Sequence, residues 1–302
     1  MSSTLQAKKQ EVYNITGPIC APVTPFKEDG ELNLSVIPKY VKYLVSIGVK
    51  GLYISGTTGE VFNLSLQEKL LLIQAYKEAL DKLPKEQKLL TMVLVSSTVV
   101  KEVIELTKKV EELGFDCVAL LPPIYYTVTT KNELINYLKL VAEAAPNTPL
   151  LYYHSPLKTG ELKFVFENFI QTAIDEIPQF TALKFSDPNL VRYESCQSHF
   201  GDKVRFFAGM NEILLPVASY GVKSAICSSF SLANCVGAYI SLLEAVERND
   251  LVQARKDQKL VADTCARLRS TNYFAALKSQ LNEDLASLGI FVGKPRAPVL
   301  LA

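Results

Sequence analysis

The sequence predicts an α/β fold in which eight parallel strands alternate with helices. Short apolar runs rich in β-branched and aromatic residues recur along most of the chain, and amphipathic stretches with helical periodicity separate them. The strand-like runs are almost continuously apolar, which is typical of a parallel sheet covered by helices on both faces. Eight such units within 302 residues fit a (β/α)8 TIM barrel.

The predicted strands are short, and each ends at or just before a Ser, Gly or Pro. They cover Pro18–Pro25, Gly51–Ser55, Leu89–Ser96, Cys117–Leu121, Leu150–His154, Thr181–Phe185, Val204–Ala208 and Ala225–Ser228. The predicted helices between them include Leu34–Ile47, Leu66–Lys82, Val100–Leu113, Glu133–Ala145 and Val165–Ile174. A doubly wound open sheet is the main alternative, but its glycine-rich dinucleotide signature is missing from the sequence.

Beyond the eighth strand the pattern changes, because three helical stretches follow one another without a strand. They cover Ala233–Arg248, Leu251–Ser270 and Asn272–Leu288. No Pro/Gly/Ser-rich linker and no short-period repeat interrupts the chain. We therefore expect one barrel domain over residues 1–302, with a polar N-terminal segment at 1–14 and a three-helix C-terminal extension over 233–302.

Composition excludes several classes of function. The formal net charge is +1 with acids and bases interspersed, so neither a nucleic acid nor a membrane surface is expected as a partner. No run approaches the ~20 apolar residues that span a bilayer, and the N-terminus lacks the apolar core of a secretory signal. The six cysteines form no CxxC pair, as is typical of reduced thiols. We expect a soluble cytoplasmic protein.

Lys184 lies inside the apolar run Phe180–Asp187, which predicts a buried strand ending in a turn. A charged ammonium is costly there unless it is paired or deprotonated. Burial favours the neutral form of a lysine, and a neutral amine attacks a ketone to form a Schiff base. The alternative is a structural lysine whose head escapes at the strand end or pairs with a carboxylate.

The turn Gly56-Thr-Thr-Gly-Glu60 follows a predicted strand, and reactive residues of TIM barrels lie at such strand ends. Its two glycines permit a tight bend, and the hydroxyls of Thr57 and Thr58 beside backbone N–H groups suit a small carboxylate. The alternative is a tight loop that caps the next helix. The residues alone favour neither interpretation.

Other strand ends carry further candidates. Tyr152-Tyr153-His154 closes the fifth strand, where a tyrosine can relay a proton, and alternation directs only one of the two tyrosines inward. No second ligand cluster accompanies His154, so a metal site is not expected. Asn211 and Glu212 could bind polyol hydroxyls, although capping of the next helix is favoured from the residues alone. Tyr125 and its neighbour Tyr126 could line a pocket or a subunit contact.

Four motifs together resemble one enzyme family over nearly the whole chain. They are Gly56-Thr-Thr-Gly-Glu60, Tyr153 before Pro156, Lys184 in Leu-Lys-Phe-Ser-Asp, and Gly293-Lys-Pro-Arg-Ala-Pro298. Their order and spacing resemble the dihydrodipicolinate synthase / N-acetylneuraminate lyase family of pyruvate-dependent class I aldolases. Tyr-Tyr-His at 152–154 and Gly-x-Asn-Glu at 209–212 are most similar to the lyase branch.

The resemblance implies a (β/α)8 barrel and a covalent Schiff base that needs no cofactor and no metal. Lys184 would form the imine with a 2-oxo acid, and Tyr153 would relay protons. Thr57 and Thr58 would hold the carboxylate. Tyr125 would reach the site of a neighbouring subunit in a homotetramer. The positions that would bind the sugar chain are Ser186, Gly209, Asn211, Glu212 and Ser228.

Three residues depart from the family pattern and leave the aldehyde open. Asn211 stands where the lyases usually carry aspartate, and Cys227 replaces a usual glycine. Lys158 could attract a second carboxylate, although a solvated loop lysine is the favoured interpretation. The leading hypothesis is reversible cleavage of N-acetylneuraminate to N-acetylmannosamine and pyruvate. The alternatives are a related synthase or 2-keto-3-deoxy acid aldolase acting on another aldehyde, and a silent barrel that binds a 2-oxo acid.

Overall fold

Eight parallel strands close into one barrel in chain order in the computed structural model, which describes residues 2–298. The strands are β1 (Gly17–Cys20), β2 (Gly51–Ile54), β3 (Leu90–Leu94), β4 (Cys117–Leu120), β5 (Leu150–His154), β6 (Phe180–Phe185), β7 (Arg205–Ala208) and β8 (Ser224–Cys227). Their residues are buried apart from the half-buried Arg205. The predicted TIM barrel is confirmed, and the largest boundary difference is at β1, which ends well before Pro25.

Helices connect the strands and continue after the last one. They are α1 (Ser3–Asn14), α2 (Ile37–Ser46), α3 (Leu66–Leu80), α4 (Val100–Glu112), α5 (Lys131–Ala144), α6 (Pro156–Thr159), α7 (Phe166–Glu176), α8 (Leu190–Phe200), α9 (Leu214–Ser219), α10 (Ala233–Glu247), α11 (Leu251–Arg269) and α12 (Tyr273–Leu285). Across residues 2–298, no helix combines the length and the apolar character that a membrane crossing requires.

The chain divides into two compact units. The first unit contains the residues up to Ile15 together with Leu90–Ala225, and so it carries β3 to β7. The second contains Thr16–Leu89 together with the residues from Ile226 onward, and so it carries β1, β2 and the C-terminal helices. Of the three boundaries between them, the last falls inside β8.

In the first unit, the segment predicted as polar forms helix α1. The Ser2 hydroxyl caps this helix by accepting a hydrogen bond from the backbone of Leu5. Leu5 and Val12 are buried, and the Tyr13 hydroxyl donates to the carbonyl of Gly201 at 2.6 Å. Two of the twelve residues are buried, which is too weak an apolar periodicity to predict a helix.

In the second unit, α10 contacts β1 as well as α11. Helix α10 directly follows the last strand, so it takes the place of the eighth barrel helix. Only α11 and α12 then extend beyond the eight βα units. Their amphipathic stretches were enough to predict helices, but a sequence pattern does not distinguish a helix that covers a barrel strand from one that follows the barrel.

The pairing of β5 with β6 decides which side chains share a face. Tyr153 pairs with Lys184, whereas Tyr152 and His154 alternate to the other side of β5. There the Tyr152 ring meets Phe169 of α7 edge-on at 4.9 Å, and the His154 ring stacks on Phe166 at 4.3 Å. The prediction that only one of the two tyrosines shares the inward face is therefore confirmed, and that residue is Tyr153.

His154 belongs to a buried polar contact on this helix-covered side. Its Nε2 lies 3.3 Å from Oδ2 of Asp187, and the same oxygen accepts a hydrogen bond from Arg192 at 2.8 Å. Burial lowers the pKa of His154 to about 4, against an opposing effect from the Asp187 carboxylate. His154 is therefore neutral near pH 7, and the contact ties the end of β5 to the start of α8.

This lowered pKa predicts a loss of stability in acid. The unfolded chain binds a proton at His154 near pH 6.5, whereas the native protein binds it near pH 4. The free energy of unfolding that His154 contributes above pH 6.5 is therefore lost as the pH falls toward 4. Between pH 7 and 4, the free energy of unfolding should fall by about 3 kcal/mol more in the wild type than in His154→Asn. Urea unfolding at each pH measures this difference. The exposed His199→Asn control should follow the wild type, and equal acid sensitivity in all three proteins would contradict the assignment.

Candidate active site

Lys184 and Tyr153 form a buried pair on adjacent strands. Lys184 is 5% exposed, so the alternative in which its head escapes into solvent at the strand end is wrong. Its Nζ lies 4.3 Å from the centroid of the Tyr153 ring. The electron-rich face of a tyrosine attracts a cation, so the ring orients the lysine head. The pair brings an amine and a phenol together at the carboxyl end of the strands, where TIM barrels carry their chemistry.

Ser186 and Gly209 form a second close contact in the same unit, just beyond β6 and β7. The Ser186 hydroxyl donates to the Gly209 carbonyl at 3.1 Å, and the Gly209 amide donates to the Phe185 carbonyl at 2.8 Å. A side chain at position 209 would collide with the Ser186 hydroxyl. Glycine is therefore required for this approach, which continues the β6–β7 pairing past the strand ends and holds Ser186, two residues after Lys184.

Asn211 and Glu212 lie in a short 3-10 turn, Asn211–Ile213, after β7. The interpretation that they cap the next helix is wrong. Met210 and Ile213 occupy the N-cap positions of the turn and of α9, and neither element has a side-chain cap. Asn211 is buried and Glu212 is exposed, so the two consecutive side chains occupy different environments. Capping therefore does not explain the polar side chains of Asn211 and Glu212.

In the second unit, the Gly56–Glu60 turn has a strained backbone. Ser55 and Glu60 adopt left-handed conformations with φ of 56° and 57°. Such values are uncommon for residues with a side chain, and they concentrate at functional sites. Thr24 lies four residues beyond the end of β1. Its hydroxyl donates to the Gly59 carbonyl at 2.6 Å and holds the turn.

The capping interpretation of this turn is also wrong. Helix α3 is capped by Ser65, in a capping box with Glu68. Thr57 is half-buried and Thr58 buried, and neither hydroxyl hydrogen-bonds to another residue in the described part of the chain. The two hydroxyls are therefore available to a ligand.

Ser228, which follows β8, makes a contact that the sequence did not predict. Its hydroxyl lies 2.6 Å from the hydroxyl of Tyr273, the first residue of α12. Burial raises the pKa of Tyr273, so this phenol stays protonated. Tyr273 comes from a helix beyond the barrel units, and no motif in the sequence relates it to Ser228. Cys227, beside Ser228, is buried, and its carbonyl accepts a hydrogen bond from Ala21.

Two other candidates face solvent. Tyr125 is 85% exposed and has a left-handed backbone with φ of 69°. Its ring meets that of the equally exposed Tyr126 edge-on at 5.0 Å. Lys158 is exposed on the short helix α6, which agrees with a solvated loop lysine.

The first unit thus brings together Lys184 with Tyr153 and Ser186 with Gly209, and the second presents Thr57, Thr58 and Ser228 on its own turns. Among residues 2–298, no group of three or more His, Cys, Asp or Glu side chains could hold a metal ion. The first unit supplies a buried amine beside a phenol, and the second supplies hydroxyl groups suited to an anionic or polyhydroxylated ligand.

Comparison with known proteins identifies relatives across nearly the whole chain. The family model described as the dihydrodipicolinate synthetase family matches residues 14–302. N-acetylneuraminate lyase from Homo sapiens is 34% identical over 94% of this chain and 87% of its own length. The lyase from Gallus gallus is 32% identical over 95% of this chain and 91% of its own length.

Solved structures agree with the sequence relatives. The native N-acetylneuraminate lyase (sialic acid aldolase) from Aliivibrio salmonicida superposes with a TM-score of 0.86 at 28% identity, covering 95% of this chain and 91% of that one. The N-acetylneuraminate lyase of Proteus mirabilis gives a TM-score of 0.85 at 27% identity, covering 94% and 92%. Since the family model, the relatives and the observed barrel agree, this chain belongs to the dihydrodipicolinate synthetase family.

Proposed function

We propose that this protein is a class I aldolase that reversibly cleaves N-acetylneuraminate to N-acetylmannosamine and pyruvate through a Schiff base on Lys184. The observation that carries the proposal is the buried Lys184 amine held 4.3 Å from the Tyr153 ring. Relatives at 34% identity named N-acetylneuraminate lyase support the choice of substrate.

The first step joins Lys184 to the ketone of the open-chain substrate. The amine in its neutral form adds to C2 and expels water to give an imine. The imine is an electron sink, so no further cofactor is required. Thr57 and Thr58 bind the adjacent carboxylate through their hydroxyls and the N–H groups of the turn.

The second step breaks the bond between C3 and C4. Removal of the C4 hydroxyl proton lets that oxygen form an aldehyde, and the bonding electrons move through C3 to the imine nitrogen, leaving an enamine. Protonation at C3 and addition of water then release pyruvate and return the free lysine. Tyr153 is the proton relay, since its phenol lies on the strand paired with β6.

The sugar chain is bound by polar groups at the remaining strand ends. Asn211 and Glu212 are not used as helix caps, and Ser186 is held in place by its bond to Gly209. Ser228, with its partner Tyr273, adds two hydroxyl groups suited to a polyol. With amide and hydroxyl groups at these positions, the site offers both donors and acceptors to sugar hydroxyls.

We also propose that the enzyme is a cytoplasmic homotetramer in which Tyr125 reaches a neighbouring subunit's site. None of the six cysteines forms a disulfide and all are buried, as is typical of a reducing compartment. Tyr125 and Tyr126 expose a pair of aromatic rings, and aromatic residues are enriched at protein interfaces.

Lys184→Ala should abolish release of N-acetylmannosamine and pyruvate, because no other nucleophile replaces the amine. Pyruvate formation from N-acetylneuraminate, followed in a coupled assay, measures the loss, and circular dichroism checks the fold. The matched control is Lys158→Ala, which removes an exposed lysine. Substantial activity in Lys184→Ala would contradict the mechanism.

Tyr153→Phe should retain imine formation but lower kcat by about a hundredfold or more, since a positioned proton relay contributes about that much. The control is Tyr152→Phe, which removes the hydroxyl on the opposite, helix-covered side of β5. Steady-state kinetics on N-acetylneuraminate separate the two variants. An unchanged kcat in Tyr153→Phe would remove Tyr153 from the mechanism.

Light scattering coupled to size exclusion should give a mass four times that of the chain. The double variant Tyr125→Ala/Tyr126→Ala should lose both assembly and turnover, because the exposed rings serve the contact. Val252→Ala, which trims an exposed apolar side chain on α11, is the control. A monomeric wild type would overturn the proposed assembly.

A further inference from the structure

Two parts of the C-terminal region, helix α12 and the motif Gly293–Pro298, contact the Gly56–Glu60 turn in the second unit. Glu60 is the last residue of that turn, and its carboxylate lies 3.0 Å from the Nζ of Lys278 on α12. The Lys278 side chain is 1% exposed and that of Glu60 is 3% exposed. A helix beyond the barrel units therefore supplies a buried counter-ion to the turn that carries Thr57 and Thr58.

Arg296 contacts the same turn from the tail. Its backbone amide donates to the second Glu60 oxygen at 2.9 Å, and its guanidinium donates to the Asn63 carbonyl at 3.0 Å. The guanidinium also binds both oxygens of Glu68, the capping-box residue of α3, and this lowers the pKa of Glu68 to about 2. One arginine thus holds both ends of the segment between the turn and α3.

A single aromatic ring completes the arrangement. The Nζ of Lys278 lies 4.1 Å and the guanidinium carbon of Arg296 lies 4.4 Å from the centroid of Phe26, which is itself buried. The cations of both ion pairs therefore lie against one ring. We call Phe26, Glu60, Glu68, Lys278 and Arg296 the tail clamp.

The tail clamp buries charged groups, which costs free energy. Burial lowers the pKa of Lys278 to about 8 despite the neighbouring Glu60 carboxylate, so keeping a cation there costs free energy. Buried ion pairs contribute little net stability compared with apolar packing, but they fix geometry. The geometry fixed here is that of Glu60, whose backbone is left-handed and whose amide donates to the Thr57 carbonyl at 3.1 Å.

We propose that Glu60 and Lys278 are positioning residues, and that the tail clamp holds the hydroxyls of Thr57 and Thr58 in place for the carboxylate of a 2-oxo acid. The inference rests on the proposed function and deepens it. Neither residue touches the substrate, and Lys278 acts through Glu60. The C-terminal motif Gly293–Pro298 then has a role in binding, although it lies far along the chain from the turn.

The test measures pyruvate binding by borohydride reduction. The full-length protein is reduced at a series of pyruvate concentrations, and the adduct is quantified by intact mass. Lys278→Met and Glu60→Gln should each raise the half-saturating pyruvate concentration by about tenfold, because each breaks the buried ion pair that fixes the turn. The maximal extent of trapping should be unchanged, because Lys184 is not affected.

A double-mutant cycle tests whether Lys278 acts through Glu60. The double variant Glu60→Gln/Lys278→Met should bind pyruvate no worse than either single variant, whereas independent structural roles would give additive losses. The control is Lys139→Met, which removes the exposed ion pair with Glu176. It should match the wild type.

The outcomes separate this inference from the proposed function. A folded Lys278→Met or Glu60→Gln with the wild-type half-saturating concentration would overturn the positioning role alone. A wild type that forms no adduct would overturn the proposed function and this inference with it. If Lys278→Met fails to fold, Glu60→Gln carries the comparison, because it keeps the shape of the side chain and removes the charge that faces Lys278.

Discussion

The pairing register of two adjacent parallel strands is the constraint on which the candidate chemistry depends. With β5 and β6 paired so that Tyr153 meets Lys184, the amine is buried and the phenol is beside it. A slip of one residue would bring Tyr152 or His154 to that face instead. The aromatic packing of Tyr152 and His154 against α7 resists such a slip, since both rings fill space on the helix-covered side.

Much of the barrel could be predicted because its signals are local. Each strand is a short apolar run with its own turn residues, and Lys184 is conspicuous because it interrupts one of them. The alternation of side chains along β5 predicted that one of Tyr152 and Tyr153 faces inward. The pairing of β5 with β6 then shows that this residue is Tyr153. The predictions that failed were also local. Asn211 and Glu212 resemble helix caps in sequence, but a 3-10 turn follows β7 and no side chain caps it.

The contacts that escaped prediction join residues far apart in the chain. Tyr273 reaches Ser228, and Lys278 reaches Glu60, from a helix whose sequence shows only an amphipathic pattern. Charge type alone does not indicate which lysine is buried against which glutamate, because that depends on how α12 packs within its unit. Within the second unit, α12 thereby contacts the residues that follow β2 and β8. The C-terminal extension therefore does more than cover apolar surface.

The role of Lys184 as the nucleophile can be tested by covalent trapping with the full substrate. The protein would be treated with N-acetylneuraminate and sodium borohydride, digested, and mapped by mass spectrometry. This role predicts a reduced pyruvate adduct on the peptide that contains Lys184, absent from Lys184→Ala. An adduct on another lysine, or no adduct while N-acetylneuraminate is still cleaved, would contradict it.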